Sequence, residues 1–239
     1  MDHSTWRNIR LADYLFMCMF HPFSTAGALR YKFFPNRAPI LRTNENVSER
    51  MVEIDFGRNR ISLHVPAIAG VAVMIDETFT KQVYKQLNVN GKKVLDLGAA
   101  IGDTAIYFSL RGANTVYAYE SDKQLCRFAK ENLRLNKIRN AKIVSEAASS
   151  KTIDEFAERF EDQPKAIKVD CEGAEYQMIL NAKRLEEYGE MILEYHYGYL
   201  NLEAKLRKEG FKVSVSRPRL GFNEKGQLAC AGLIYATRG

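Results

Sequence analysis

The chain has 239 residues, of which 46% are hydrophobic and 27% charged; that is enough apolar material for one large domain with an appendage and too much for a disordered chain. Thirty-five basic against 29 acidic residues leave a net charge of +6, able to help draw in a polyanion but well short of a polycationic tail. No run approaches the roughly 18 apolar residues that cross a bilayer, so stable membrane insertion is not expected.

In chain order, residues 1–45 read as an irregular, partly helical lead-in cut by Pro22, Pro35 and Pro39. Leu11–Phe23 is greasy, but it is interrupted by Asp13, His21 and Pro22. It lacks the basic start and small-residue cleavage site of a secretory signal. From Met51 apolar and polar residues alternate around Gly57-Arg58-Asn59, which predicts a β-hairpin over 51–65. A short helix is expected over Thr78–Leu87, then a turn at Asn90-Gly91.

After Gly91 strands and helices take turns. Predicted strands are Lys93–Leu97, Thr115–Tyr119, Ala141–Ser145, Ala166–Val169, Met191–Glu194, Lys212–Val215 and Leu228–Tyr235. Predicted helices are Asp103–Leu110, Asp122–Leu135, Ile153–Phe160, Ala174–Asn181 and Leu200–Lys208. Such alternation implies βαβ units, hence a doubly wound α/β fold with a parallel sheet; an antiparallel last strand suits the helix-free loop before it. The expected organisation is an N-terminal extension over 1–90, a helical lead-in and hairpin on the substrate side or acting as a cap, and a cofactor-binding domain over 91–239. Cys18, Cys126, Cys171 and Cys230 form no C-x-x-C, which argues against a disulfide framework or zinc site and for a reducing, cytoplasmic setting.

The most informative stretch is Val94-Leu95-Asp96-Leu97-Gly98-Ala99-Ala100-Ile101-Gly102-Asp103-Thr104, a hydrophobic strand ending in a glycine turn that opens a helix. Ligands in such sheets bind at the carboxyl ends of the strands. The dinucleotide pattern G-x-G-x-x-G is not met, since Ala100 and Asp103 occupy its second and third glycine positions, and no P-loop lysine is present. An acid at the helix start repels a pyrophosphate and tolerates a cation. Glu120 ends the second strand 22 residues after Gly98, the spacing at which a carboxylate reaches a ribose diol. A glycine turn and a ribose acid without a pyrophosphate cradle describe S-adenosylmethionine. Its contacts are expected on Asp96, Gly98, Ala99, Gly102, Asp103, Thr104, Glu120 and Ser121, with Asp170 at the sulfonium end.

VLDLGAAIGDTAIYF, VYAYE and Ile167-Lys168-Val169-Asp170-Cys171-Glu172-Gly173-Ala174-Glu175 resemble the FkbM-type S-adenosylmethionine-dependent methyltransferases, from about Ile61 to Tyr235. The resemblance implies a Rossmann-like class I methyltransferase sheet and O-methylation of a hydroxyl on a small molecule or glycan. Ala100 stands where the family commonly has Asn.

Lys168, Asp170, Glu172 and Glu175 would lie where the fourth strand gives way to its helix, beside the glycine-turn strand. Asp170 or Glu172 could serve the sulfonium or the acceptor hydroxyl. His196 closes the fifth strand and could take the acceptor's proton near its ordinary pKa of about 6.5, its ring fixed by Glu194 two residues back. The candidate catalytic residues are therefore His196, Asp170 and Glu172. No H-E-x-x-H or similar spacing occurs, so no metal site is expected. An RNA methyltransferase is the alternative, supported by Lys205, Arg207, Lys208, Lys212, Arg217 and Arg219, but the base-methylating tetrad Asn-Pro-Pro-Tyr is missing. A cofactor-binding scaffold without activity is the non-catalytic alternative.

Overall fold

The computed structural model describes residues 49–67, 70–222 and 228–238, so the lead-in expected over 1–45 lies outside the described residues. Its strands are β1 (Glu49–Phe56), β2 (Asn59–Pro66), β3 (Lys93–Leu97), β4 (Thr115–Tyr119), β5 (Ala141–Val144), β6 (Lys165–Val169), β7 (Glu190–Tyr195), β8 (Lys212–Val215), β9 (Arg219–Phe222) and β10 (Leu228–Thr237). The helices are α1 (Val71–Ile75), α2 (Asp103–Leu110), α3 (Lys123–Leu135), α4 (Ser150–Arg159), α5 (Glu175–Asn181) and α6 (Leu200–Lys208).

Two compact units make up the described chain. One runs to Ala148 and adds Asp162–Ile167; the other holds Ser149–Glu161 and everything from Lys168. Strand β6 straddles the boundary. In the first unit the strand order is β5-β4-β3-β6, with β3, β4 and β5 mutually parallel. In the second it is β6-β7-β10-β8, with β10 antiparallel to both neighbours and to β9. The order reverses between β3 and β6, which puts a switch point at the end of the glycine-turn strand.

The first unit forms because β3 is apolar on both faces. Val94, Leu95 and Leu97 are fully buried, and α2 is buried on every side from Asp103 to Phe108. A helix surrounded in this way is a core element, not a surface one. Each such aliphatic side chain contributes about 1.5–3 kcal/mol by leaving water. The β1–β2 hairpin is antiparallel, with Phe56 facing Asn59 across its turn.

The helix expected over Thr78–Leu87 is displaced. Residues Val71–Ile75 are α-helical and Asp76–Thr80 continue as a π-turn. The helix stops there because Gln82 takes a positive φ of 50°. The bend lets Phe79 reach the Tyr107 ring and Tyr84 the Phe108 ring, both edge-on. Ring packing outweighs local propensity here.

In the second unit α4 is fixed by a capping box, Ser149 with Thr152, and packs Ile153, Phe156 and Ala157 inward. The Tyr188 hydroxyl donates to the Ile153 carbonyl at 2.7 Å, and Asp154 accepts from the Lys183 and Arg184 amides at 2.8 and 3.0 Å. Cys126, Cys171 and Cys230 are free thiols. No helix among the described residues is long and apolar enough to cross a membrane.

Candidate active site

In the first unit the chain leaves β3 at Leu97 and turns through three left-handed positions: Gly98 (φ 78°), Ala100 (φ 44°) and Gly102 (φ 81°). The Gly98 and Ala99 amides both donate to the Tyr119 carbonyl at 3.0 Å, which ties the turn to the end of β4. Gly102 has no room for a side chain, since a Cβ there would lie 3.0 Å from the Ala129 Cα on α3. That close approach explains the glycine more fully than ease of helix entry does.

Glu120 binds the turn directly. Its Oε2 accepts the Ala100 amide at 2.9 Å, and its Oε1 accepts the Asp122 amide at 2.8 Å. Asp122 in turn caps α3 by accepting from Gln124 and Leu125. Glu120 therefore braces the helix start and the glycine turn together. A carboxylate offers about four lone-pair positions, so these two bonds and a long one from the Ser121 hydroxyl at 3.5 Å still leave acceptor capacity for a ligand hydroxyl. Glu120 is half-buried and Ser121 exposed.

The remaining predicted cofactor residues lie deeper. Asp96 is fully buried and accepts the Thr104 hydroxyl at 2.6 Å. Asp103, also buried, accepts the Thr78 hydroxyl at 2.6 Å. Ala99 is buried as well. These residues shape the turn from beneath, and Thr78 was not anticipated from the sequence. Another unanticipated residue is Asn132 on α3. Its side-chain amide donates to the Ile101 carbonyl at 2.9 Å and to the His64 carbonyl at 3.0 Å, while its Oδ1 accepts the His64 amide at 2.7 Å. An asparagine in register with Leu125 and Phe128 on the apolar face of an amphipathic helix was the signal the sequence offered.

The second unit holds the other candidates. Past β6, Asp170 is half-buried and Glu172 exposed, and the chain reverses through two left-handed residues, Glu172 (φ 50°) and Gly173 (φ 106°). A Cβ on Gly173 would lie 2.7 Å from the Tyr197 ring, so only glycine fits. Glu175, in the first turn of α5, is completely buried. It accepts the Gly173 amide at 2.7 Å, the His196 amide at 3.2 Å and His196 Nδ1 at 3.0 Å.

Glu175, not Glu194, thus fixes the imidazole. Strand β7 ends at Tyr195, and the two-residue alternation that would have paired Glu194 with His196 ends with it. The Cys230 amide holds the His196 carbonyl at 3.0 Å. On its other side His196 Nε2 lies 3.4 Å from Glu172. One ligand atom each from Asp170, Glu172 and His196 lies within 4.8 Å of the other two. Burial of the ring lowers its proton affinity. The hydrogen bond and charge of Glu175, with the charges of Asp170 and Glu172, outweigh that and carry its pKa up to about 9. The imidazole does not keep the ordinary value expected of it. Burial pushes the neighbouring Cys171 thiol up to about 12, so it is no nucleophile at neutral pH.

Residues 78–160 match the family model of the ribosomal protein L11 methyltransferases (PrmA). The ribosomal protein L11 methyltransferase of Streptococcus pyogenes serotype M5 (strain Manfredo) is 42% identical over 52 residues, 22% of this chain, and the match spans only 16% of that relative's length. Among solved structures, Trm5b from Pyrococcus abyssi superposes with a TM-score of 0.53 at 18% identity, over 82% of this chain and 58% of that one. M. jannaschii TYW2, solved in complex with AdoMet, gives a TM-score of 0.52 at 16% identity, over 84% of this chain and 94% of that one. The chain has the Rossmann-like fold of the class I methyltransferases.

Proposed function

We propose that the chain is an S-adenosylmethionine-dependent methyltransferase acting on a hydroxyl of a small molecule or glycan, in the manner of the FkbM-type enzymes it resembles. The observation that carries the cofactor reading is Glu120, whose carboxylate is anchored on the Ala100 amide at the mouth of the glycine turn. The acid at the start of α2 supports the same ligand, because Asp103 disfavours a phosphate at that helix end and tolerates a sulfonium. The PrmA match covers this part of the chain and agrees with it.

When bound, S-adenosylmethionine supplies a methyl group activated by its sulfonium. Glu120 binds the ribose hydroxyls, and Gly98 brings backbone close to the ligand where a side chain would intrude. Asp96 and Thr104 hold the turn in shape. Asp170 and Glu172 receive the acceptor hydroxyl and its proton, while His196, held in its charged form at neutral pH by Glu175, lends them its positive charge. Positioning of the reactants supplies up to roughly 7–11 kcal/mol, and a proton acceptor adds about 10²–10⁴-fold.

Calorimetry with S-adenosylmethionine and NAD in parallel tests the cofactor reading. The first binds and the second does not. Glu120→Ala weakens S-adenosylmethionine binding by about 1–3 kcal/mol, the cost of losing a charged hydrogen-bond partner. Binding of NAD in place of S-adenosylmethionine overturns the reading.

A further inference from the structure

We propose that Asp170, Glu172 and His196 bind a divalent transition-metal ion of the Mn²⁺-to-Zn²⁺ range, with Glu175 as the residue that positions the imidazole. This goes beyond the methyl-transfer reading and does not depend on it.

Size comes first. Ligands at about 2.0–2.2 Å from an ion, at angles of 90–110°, stand roughly 3–3.6 Å apart. His196 Nε2 and Glu172 Oε2 are 3.4 Å apart, inside that window. Asp170 joins them within a mutual separation of 4.8 Å.

The orientation of the ring is independent support, because it is imposed from outside the trio. Glu175 is completely buried, and its carboxylate oxygens are hydrogen-bond acceptors. It faces Nδ1 at 3.0 Å while also taking the His196 and Gly173 amides, so Nδ1 must carry a proton. That leaves Nε2, on a ring nine-tenths buried, directed at Glu172. In the metal-free protein a proton on Nε2 faces Glu172, and a divalent ion that displaces that proton would sit between the imidazole and the carboxylates. A buried carboxylate on the far nitrogen of a histidine is the outer partner found behind metal-ligating imidazoles, where it sets the tautomer and raises the ligand's basicity.

The donor set indicates the ion. One imidazole and two carboxylates suit ions between the oxygen-preferring Mg²⁺ and the sulfur-preferring Cu⁺. Three protein ligands leave positions open, and the 72% exposure of the Glu172 side chain shows that the site meets solvent. An acceptor oxygen bound there would be polarised by the ion. Sequence reading names these three residues as candidate catalytic groups but not as metal ligands, because they come from two separate segments, 170–172 and 196, with no recurring ligand spacing.

The test is an electron paramagnetic resonance titration of chelator-treated, full-length protein with MnCl₂. One Mn²⁺ binds per chain, and pulsed spectra show nitrogen modulation from an imidazole ligand. Glu172→Gln, an exposed change that leaves the core alone, weakens binding at least tenfold. His196→Ala abolishes the nitrogen signal. Glu175→Gln, checked for folding by near-ultraviolet circular dichroism, weakens binding by about 10–100-fold, as loss of an outer partner does. Absence of stoichiometric binding overturns the proposal, as does binding that Glu172→Gln and His196→Ala leave unchanged. S-adenosylmethionine affinity is read by calorimetry on the same metal-free protein, so failure of the methyl-transfer reading appears in a different titration.

Discussion

Ala100 is held at φ 44°, a left-handed conformation that L-residues adopt at a cost of roughly 1–2 kcal/mol and that Asn and Gly tolerate better. The Asn common in the FkbM pattern thus has a conformational reason at this position, apart from any contact with the cofactor. Ala100→Val should lower stability by about 1–2 kcal/mol, because a β-branched residue is a severe outlier there. Ala100→Gly should be close to neutral, the relief of strain offsetting the entropy that glycine loses on folding. Chemical denaturation of both variants checks this, and equal losses in the two would show that the strain is not felt. Single residues were unevenly legible. Glu120 could be read from its distance to Gly98 because both sit on one βαβ unit, whose geometry is nearly fixed. Its bond to Ala100 was not legible, and neither was the displacement of Glu194 by Glu175 as the histidine's partner. Glu175 and His196 are 21 residues apart, joined only by the packing of a helix start against a strand end.

The β1–β2 hairpin and α3 are joined by side chains that imitate a β-ladder. Asn132 brackets the His64 backbone, and Asn136 does the same at Ser62, accepting its amide at 2.9 Å and donating to its carbonyl at 2.7 Å. Asn132→Ala leaves the His64 and Ile101 groups without this partner, at a cost of about 2–4 kcal/mol. Thermal unfolding would show the loss, and a change below about 0.5 kcal/mol, the scatter of ordinary surface substitutions, would refute the bracket. Ionic contacts add to it. His64 lies 2.9 Å from Glu131 and 3.0 Å from Glu49; Arg127 pairs with Glu49, and Arg134 adds positive charge near Glu131. The hydrogen bond from His64 first, with the charges of His64, Arg134 and Arg127, holds the Glu131 carboxyl below its ordinary value of 4.5 despite an opposing desolvation. A depressed carboxyl stabilises the folded state above the ordinary value, and that stabilisation is lost as pH falls through the folded one. Exchange of the Ser62 and His64 amides should therefore accelerate, relative to intrinsic rates, as pH drops below about 4.5; a flat profile would remove Glu131 from the docking of the hairpin.

Across the whole chain the net charge of +6 is less available to a polyanion than the run from Lys205 to Arg219 suggests. On α6, Lys205 pairs with Glu209 at 2.9 Å and Arg207 with Glu203 at 2.8 Å, so part of that run is neutralised on its own helix. Label from S-adenosylmethionine is accordingly expected in hydroxylated small molecules or glycans and not in total RNA. RNA association should collapse between 50 and 200 mM salt, as non-specific phosphate contacts do. Methyl incorporation into RNA alone would reverse the ranking of acceptors. The sequence by itself determined what local periodicity encodes. Strands β3, β4 and β8 and helices α2 and α6 lie where alternation and 3.6-residue spacing put them, and the class I methyltransferase sheet was implied by the resemblance carried by the glycine turn and the Ile167–Glu175 motif. The sequence did not reveal β9, because Gly221 sits inside Arg219–Phe222 and a glycine weakens a strand pattern. Only the tertiary structure decided the bend at Gln82, the bracket of Asn132 and the pairing of Glu175 with His196. Those features depend on which distant segments touch, and contact energies between segments leave no repeat in the chain that makes them.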